Sequence, residues 1–330
     1  MSRYDEMTLP LIDLTPWYGG DPDRRAEVAA QVDHALQVFG FMMVVGHPFE
    51  DGLVDRVRAE ALEFFRLPVE AKRRYSVGPG GHGWMPSGVE ANAGSDGIDS
   101  PPDLKESFGF GPETAPWEGD VAGQEDSPTP NLWPTERPGM REIVSSYAEA
   151  SARLADDLLE IFATALDLPI DFFTSRCSRS PWQTNLNWYP GREAVGEVAE
   201  GQFRIGQHTD FGTLTILDRQ PGSGGLQVRR LDGEWIDAPF VPGSLTINTG
   251  DLLARWTADR WRSTPHRVLP PPADEPTEEL VSLVFFHEAD PATVVEMLPS
   301  AKVGTSTYEP VTAGDFLRSR IESITVGAAG

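Results

Sequence analysis

Three side chains offer ligand atoms for a transition metal. His208 and Asp210 stand together in Gln207-His208-Thr209-Asp210-Phe211-Gly212. His266 stands far downstream in Ser263-Thr264-Pro265-His266-Arg267-Val268. In an extended chain residues i and i+2 point to one face, so His208 and Asp210 would enter one cavity together. With His266 they supply two imidazoles and one carboxylate. That set, gathered on one face of a non-haem Fe(II), leaves the opposite positions open for reactants. A His-x-Asp pair by itself is common on protein surfaces, so the text around it must carry the reading. Neutral imidazole is the ligand form, and each ring needs an acceptor at its other nitrogen to fix the tautomer.

The elements that must position these residues are short and extended. After residue 180, segments at 183–189, 204–208, 213–218, 226–230, 244–248 and 280–286 alternate with turn signals such as Pro190-Gly191, Asp232-Gly233 and Pro242-Gly243. Many short strands at this spacing indicate an antiparallel sandwich or jelly roll. Before residue 180 the period is helical, with apolar stripes over 23–39, 53–67 and 137–167. Leu11 to Leu14 reads as an edge strand and 41–45 as a buried one. Residues 77–135 are dense in Gly, Pro and acidic residues. They read as a long excursion flanking a site, loosest over 92–101, with Trp84 and Phe108 as core packing. The chain therefore divides into an N-terminal helical region with edge strands (1–180) and a jelly-roll core (181–330), acting as one integrated catalytic unit of α+β class.

Acidic residues outnumber basic ones 51 to 27, a formal charge of −24. Nucleic acid and anionic membrane surfaces are thus poor partners, since their phosphates would be repelled. The single cysteine, Cys177, excludes an internal disulfide and a multi-cysteine metal site. No apolar run approaches the roughly 20 residues needed to span a bilayer. The N-terminus lacks a basic segment followed by an apolar one, so a cytoplasmic location is expected. Oligomeric state is not encoded in any pattern here.

Asn187-Trp188-Tyr189-Pro190, Arg204 to Gly212, Gly224-Gly225-Leu226-Gln227-Val228, Asn248-Thr249-Gly250-Asp251 and Ser263 to Val268 follow one another in an order that resembles the isopenicillin N synthase-like Fe(II)/2-oxoglutarate-dependent oxygenases. Leu11 to Leu14, Gly40-Phe41 and Asp103 to Phe108 match the N-terminal region of that family. The resemblance implies a double-stranded β-helix (jelly roll, cupin-like) behind an N-terminal helical part. It implies Fe(II) on His208, Asp210 and His266, with 2-oxoglutarate and O₂ as co-substrates. It puts Asn187 and Tyr189 in the N-x-Y motif, whose tyrosine bonds the 2-oxoglutarate carboxylate, and Ser282 in the R-x-S motif. Lys105 and Ser107 are substrate candidates by the same likeness. Phe286 and His287 are candidates because their strand ends near the barrel mouth.

One position departs from the family. The arginine of R-x-S, which grips a carboxylate, falls on Leu280. Leucine cannot replace the fork of a guanidinium. Arg204, Arg219 or Arg267 could substitute for it. Alternatively, the enzyme is a synthase-type oxidase that uses no 2-oxoglutarate, or a metal-holding binding protein without oxygenase activity. The aromatic surroundings of the motifs suit a dry cavity and a small organic metabolite, oxidised at a C–H bond by hydroxylation, desaturation or cyclisation.

Overall fold

The computed structural model describes residues 8–98, 100–114, 130–222, 225–305 and 307–325. In chain order the strands are β1 (Leu11–Asp13), β2 (Phe41–Val45), β3 (Trp84–Met85), β4 (Glu106–Phe110), β5 (Gln183–Tyr189), β6 (Ile205–His208), β7 (Leu214–Asp218), β8 (Leu226–Arg229), β9 (Trp235–Asp237), β10 (Leu245–Thr249), β11 (His266–Val268), β12 (Leu280–His287), β13 (Val294–Val295) and β14 (Val311–Thr312). The helices are α1 (Thr15–Tyr18), α2 (Pro22–Val38), α3 (Leu53–Phe65), α4 (Val69–Lys72), α5 (Met140–Ala165), α6 (Arg192–Val195), α7 (Asp251–Trp256) and α8 (Ala313–Thr325).

Two sheets make the core. The larger has the order β1-β2-β10-β7-β12-β5-β4-β3, and the smaller β6-β11-β8-β9. This is the double-stranded β-helix of the expected α+β class. Strand alternation decides what each residue faces. On β12, Val281, Leu283 and Phe285 pack under the helices, while Leu280, Ser282 and Phe286 line cavities between the sheets. On β7, Leu214 and Ile216 take the helical side. Thr215 and Leu217 take the inner one, and Arg219, one residue past the strand, continues their row.

The helical layer follows from its sequence. Pro22 opens α2, and Asp21 caps it by accepting from the backbone N–H groups of Asp23 and Arg24. In α5 the expected stripe is realised: Tyr147, Leu154, Leu158 and Phe162 are fully buried. The Tyr147 hydroxyl donates to the Leu283 carbonyl at 3.2 Å, fastening α5 to the back of β12.

The first half of the chain supplies four strands, β1 to β4, to the larger sheet. Both β2 and β4 lie inside it, between β1 and β10 and between β3 and β5. On β2 the two faces serve different layers. Met42 and Val44 join the helical core, and Phe41 and Met43 join Leu226 and Val228 between the sheets. Trp84 and Phe108 are core residues, as their sequence context suggested. Within 92–101, the stretch expected to be loosest, Asn92–Asp96 forms a 3-10 turn. Ala93 is buried against Gly206, and Asp103 accepts from the backbone N–H of Gly206 at 2.9 Å and from the Asn92 side chain. These are pairings across long sequence separation, so local composition could not signal them.

Candidate metal centre and its two cavities

His208 and His266 are direct cross-strand partners in the antiparallel pair β6–β11. Their ring centroids lie 4.2 Å apart. Asp210 follows β6 by two residues and turns its carboxylate to both rings. Its Oδ1 is 3.7 Å from His208 Nε2 and 3.8 Å from His266 Nε2. Among the described residues these three side chains form the one group of His, Cys, Asp or Glu ligand atoms so gathered.

The atoms pointing away from this centre are already occupied. His208 Nδ1 sits 2.9 Å from the Gly206 carbonyl, and His266 Nδ1 3.1 Å from that of Thr264. A carbonyl only accepts, so each Nδ1 carries the proton and each Nε2 presents a lone pair. Asp210 Oδ2 accepts from the Thr215 hydroxyl and from the Asn248 amide, both at 2.6 Å. Only Oδ1 is left to face the rings. Burial would raise the Asp210 carboxyl, but the two imidazoles and these hydrogen bonds outweigh it and hold it below the ordinary range. Burial, with His208 alongside, lowers His266 to about 4, so its imidazole is neutral at physiological pH. Two neutral imidazoles and one anionic oxygen are the donor set that Fe(II) takes in a facial triad.

The backbone supports this arrangement by close approach. A Cβ on Gly250 would lie 2.4–2.9 Å from backbone atoms of Gly212. Gly250 N–H donates to Thr213 O, and Asp251 N–H to Asp210 O at 2.8 Å. Glycine is required there by contact rather than by a special dihedral.

Two cavities flank the triad. The outer one, about 200 Å³, is lined by His208, Asp210, Phe211, Asn92, Gln183, Asn185, Phe286, Glu288 and, from α8, Leu317 and Ile321. The inner one, about 270 Å³, is lined by Tyr189, Ser282, Leu280, Leu217, Arg219, Leu226 and Val268. None of the three ligands lines the inner cavity, but Val268, two residues from His266 on the same face of β11, does. Inside it the Tyr189 hydroxyl and Ser282 Oγ are 3.0 Å apart. Burial pushes the Tyr189 phenol up, which keeps it protonated.

Residues 9–136 match the family model for the N-terminal region of non-haem dioxygenases of morphine synthesis, and residues 184–289 match that of the 2OG-Fe(II) oxygenase superfamily. The validamycin A dioxygenase of Streptomyces hygroscopicus subsp. limoneus is 40% identical over 320 residues, covering 96% of this chain and 87% of its own. The chain belongs to the 2OG-Fe(II) oxygenase superfamily. A homoarginine-6-hydroxylase of Arabidopsis thaliana is 30% identical, covering 97% and 98% of the two chains. The crystal structure of a full-length Neurospora crassa protein in complex with alpha-KG and thymine superposes with a TM-score of 0.83 at 28% identity, covering 98% of each chain. The protein is thus an Fe(II)/2-oxoglutarate dioxygenase acting on a small molecule. No helix among the described residues is long and apolar enough to cross a membrane.

In this 2OG-Fe(II) oxygenase the expected site residues fall into separate groups. His208, Asp210 and His266 come together, with Phe286 on the wall of the outer cavity. Tyr189 and Ser282 meet in the inner one. Asn187 lies on the face of β5 that carries Asn185 and Tyr189, between the two cavities without lining either, and accepts from Ser107 Oγ at 2.8 Å. Lys105 is buried, ion-paired with Glu90 and hydrogen-bonded to Ser107 at 2.8 Å, so its charge is already matched. His287 is turned from the outer cavity: its Nδ1 is 2.9 Å from the Thr213 hydroxyl. Sequence reasoning missed Glu288, whose carboxylate fills the space beside Gly212, and α8, whose Arg320 pairs with Asp251 at 2.8 Å and lies over the Phe211 ring. A carboxylate one residue past a strand end carries no recognisable pattern. The Phe316, Leu317 and Ile321 spacing is the only trace of α8.

Proposed function

We propose that His208, Asp210 and His266 hold Fe(II), that the inner cavity takes 2-oxoglutarate, and that the outer cavity takes a polar metabolite which is hydroxylated at a C–H bond. The observation that carries this reading is the division of labour on the three ligands. Every atom facing outward is saturated by a protein partner, and the three facing inward are left free between two cavities.

Iron bound there, together with 2-oxoglutarate and O₂, supplies the oxidising power, 2-oxoglutarate leaving as succinate and CO₂ as one oxygen enters the substrate. The protein's own residues position and enclose. Thr215 and Asn248 keep Asp210 to one free oxygen. Gly206 and Thr264 hold the imidazoles in the ligand tautomer. Tyr189 and Ser282 offer hydroxyl donors to a co-substrate carboxylate. Phe211, Phe286 and Leu317 keep the outer cavity dry near the metal. Asn92, Gln183 and Asn185 give it amide partners, and Glu288 is the carboxyl group a cationic nitrogen would meet. One relative is named for homoarginine, which supports a substrate bearing such a group.

Anaerobic titration of Fe(II)-loaded protein with 2-oxoglutarate tests the reading. A weak visible charge-transfer band is expected, and Asp210→Ala should abolish both iron retention and the band. Wild-type protein that retains iron yet gives no band would overturn the co-substrate assignment. Asp210→Ala protein that still loads iron would overturn the ligand assignment.

A further inference from the structure

We propose that Arg219 is the residue that binds the distal carboxylate of 2-oxoglutarate, in place of the arginine the family carries where Leu280 stands here. The proposal rests on the reading that the inner cavity takes 2-oxoglutarate. It concerns a residue outside every motif that carries the resemblance.

Position is the first argument. Strands β7 and β12 are antiparallel neighbours, with Asp218 opposite Leu283. One step along the same register sets Arg219 beside Ser282. Thr215, Leu217 and Arg219 form one inward row, which starts at the residue bonded to Asp210 and ends in the inner cavity. Arg219 and Ser282 both line that cavity, with Tyr189 and Leu280.

Partners are the second argument. Arg219 donates from Nε to Thr246 Oγ1 at 3.1 Å, from Nη1 to the Ala238 carbonyl at 3.0 Å and from Nη2 to the Pro239 carbonyl. All three acceptors are neutral. These bonds fix the plane of the guanidinium without neutralising it. Burial lowers its pKa to about 10, so it stays charged at neutral pH. A largely buried cation held only by these neutral oxygens and, at 4.0 Å, the neutral Met43 sulfur is costly unless an anion joins it.

The rival cations are the third argument. Arg204 is fully buried near the Tyr189 ring but pairs with Glu278 at 3.2 Å. Lys105 pairs with Glu90. Arg267 lies between His266 and Val268 and therefore on the opposite face of β11, where it stacks on Trp235 and bonds Gln227. Of these, Arg219 alone combines the cavity wall with a set of neutral partners. Leu280 turns its methyl groups toward Gly222 and closes the wall where the family's arginine would project.

The test is calorimetric binding to anaerobic Fe(II)-loaded full-length protein, with two ligands. One is 2-oxoglutarate. The other is 2-oxobutyrate, which has the same 2-oxo acid head and no distal carboxylate. Charge-assisted hydrogen bonds of this kind are worth about 10- to 100-fold in affinity. Arg219→Leu should weaken 2-oxoglutarate by about that factor while 2-oxobutyrate binding and iron content stay within about threefold. Adding Leu280→Arg to Arg219→Leu should restore 2-oxoglutarate binding, since it returns a guanidinium from the neighbouring strand. Arg219→Lys, which keeps the charge but loses the fork, should fall between, and it carries the test if the leucine variant does not fold. An Arg219→Leu protein with wild-type affinity for 2-oxoglutarate would overturn the assignment. So would equal weakening of both ligands, the mark of a structural role. Wild-type protein that holds iron but binds no 2-oxoglutarate would sink the underlying functional reading instead.

Discussion

His208 and His266 stand opposite each other on β6 and β11, and their rings approach to 4.2 Å between centroids. The register of one two-strand pairing therefore sets the distance between two of the three metal ligands. A slip of one residue would send one imidazole to the other face of the sheet. The β6–β11 register shifts between His266 and Val268, and pairing resumes with Val268 opposite Ile205.

The outward bonds of Asp210 should tune iron affinity. Asn248→Ala and Thr215→Val each free one lone pair of Oδ2 and let the carboxylate rotate. Each should weaken Fe(II) binding by about 10- to 100-fold, as removal of such supporting partners does elsewhere. Iron per chain at graded chelator concentrations measures this. Unchanged retention in both variants would show that packing alone orients the carboxylate.

Glu288→Gln should separate substrate from metal. The carboxyl lines the outer cavity beside Gly212. Burial raises this carboxyl to about 8, so a cationic substrate must draw off its proton to pair with it, and the variant should raise KM by about threefold or more, less than a full charge-assisted hydrogen bond. Iron content should not change. A KM equal to wild type would remove Glu288 from the substrate contacts.

Gly250→Ala should destabilise the fold next to the site. The added methyl would overlap Gly212 backbone atoms, which are not free to retreat. A cost of about 1–3 kcal/mol is expected in urea unfolding, as for other overpacked positions. Weaker iron binding should accompany it, because Gly212 lies two residues from Asp210.

Acid should weaken the metal-free protein partly through His287. Burial lowers this imidazole from 6.5 to about 4. Below pH 6.5 the unfolded chain takes up the proton and the folded one does not, so folding stability falls with pH until about 4. Between pH 7 and 5 this amounts to about 2 kcal/mol. His287→Gln should flatten the decline in urea midpoints over that interval. A decline of undiminished slope would assign the acid sensitivity to other groups.

Much of the site was legible because its chemistry follows local rules. The i, i+2 spacing of His208 and Asp210 and the alternation of 183–189 and 280–286 survive in the fold. The expected helix over 137–167 is α5. What was hidden depends on contacts between distant segments. Asn248 was visible in a motif, but its bond to Asp210 was not. The 41–45 run read as a buried strand, yet only pairing with β1 and β10 shows it as an interior strand of the main sheet. Arg219 was one of three candidate arginines, and the other two, Arg204 and Arg267, belong to the family's ordinary text. Glu278 and the alternation on β11 separate them, and neither can be judged until the strands are paired.

The interleaving of the larger sheet has a consequence for anyone dividing the gene. A chain severed near residue 180 leaves two raw seams, since β10 loses β2 and β5 loses β4. The C-terminal fragment would carry all three metal ligands and still present bare strand edges, which invite clumping. Co-expressed halves have a mutual template at both seams, so complementation between fragments is the natural route to a working split enzyme.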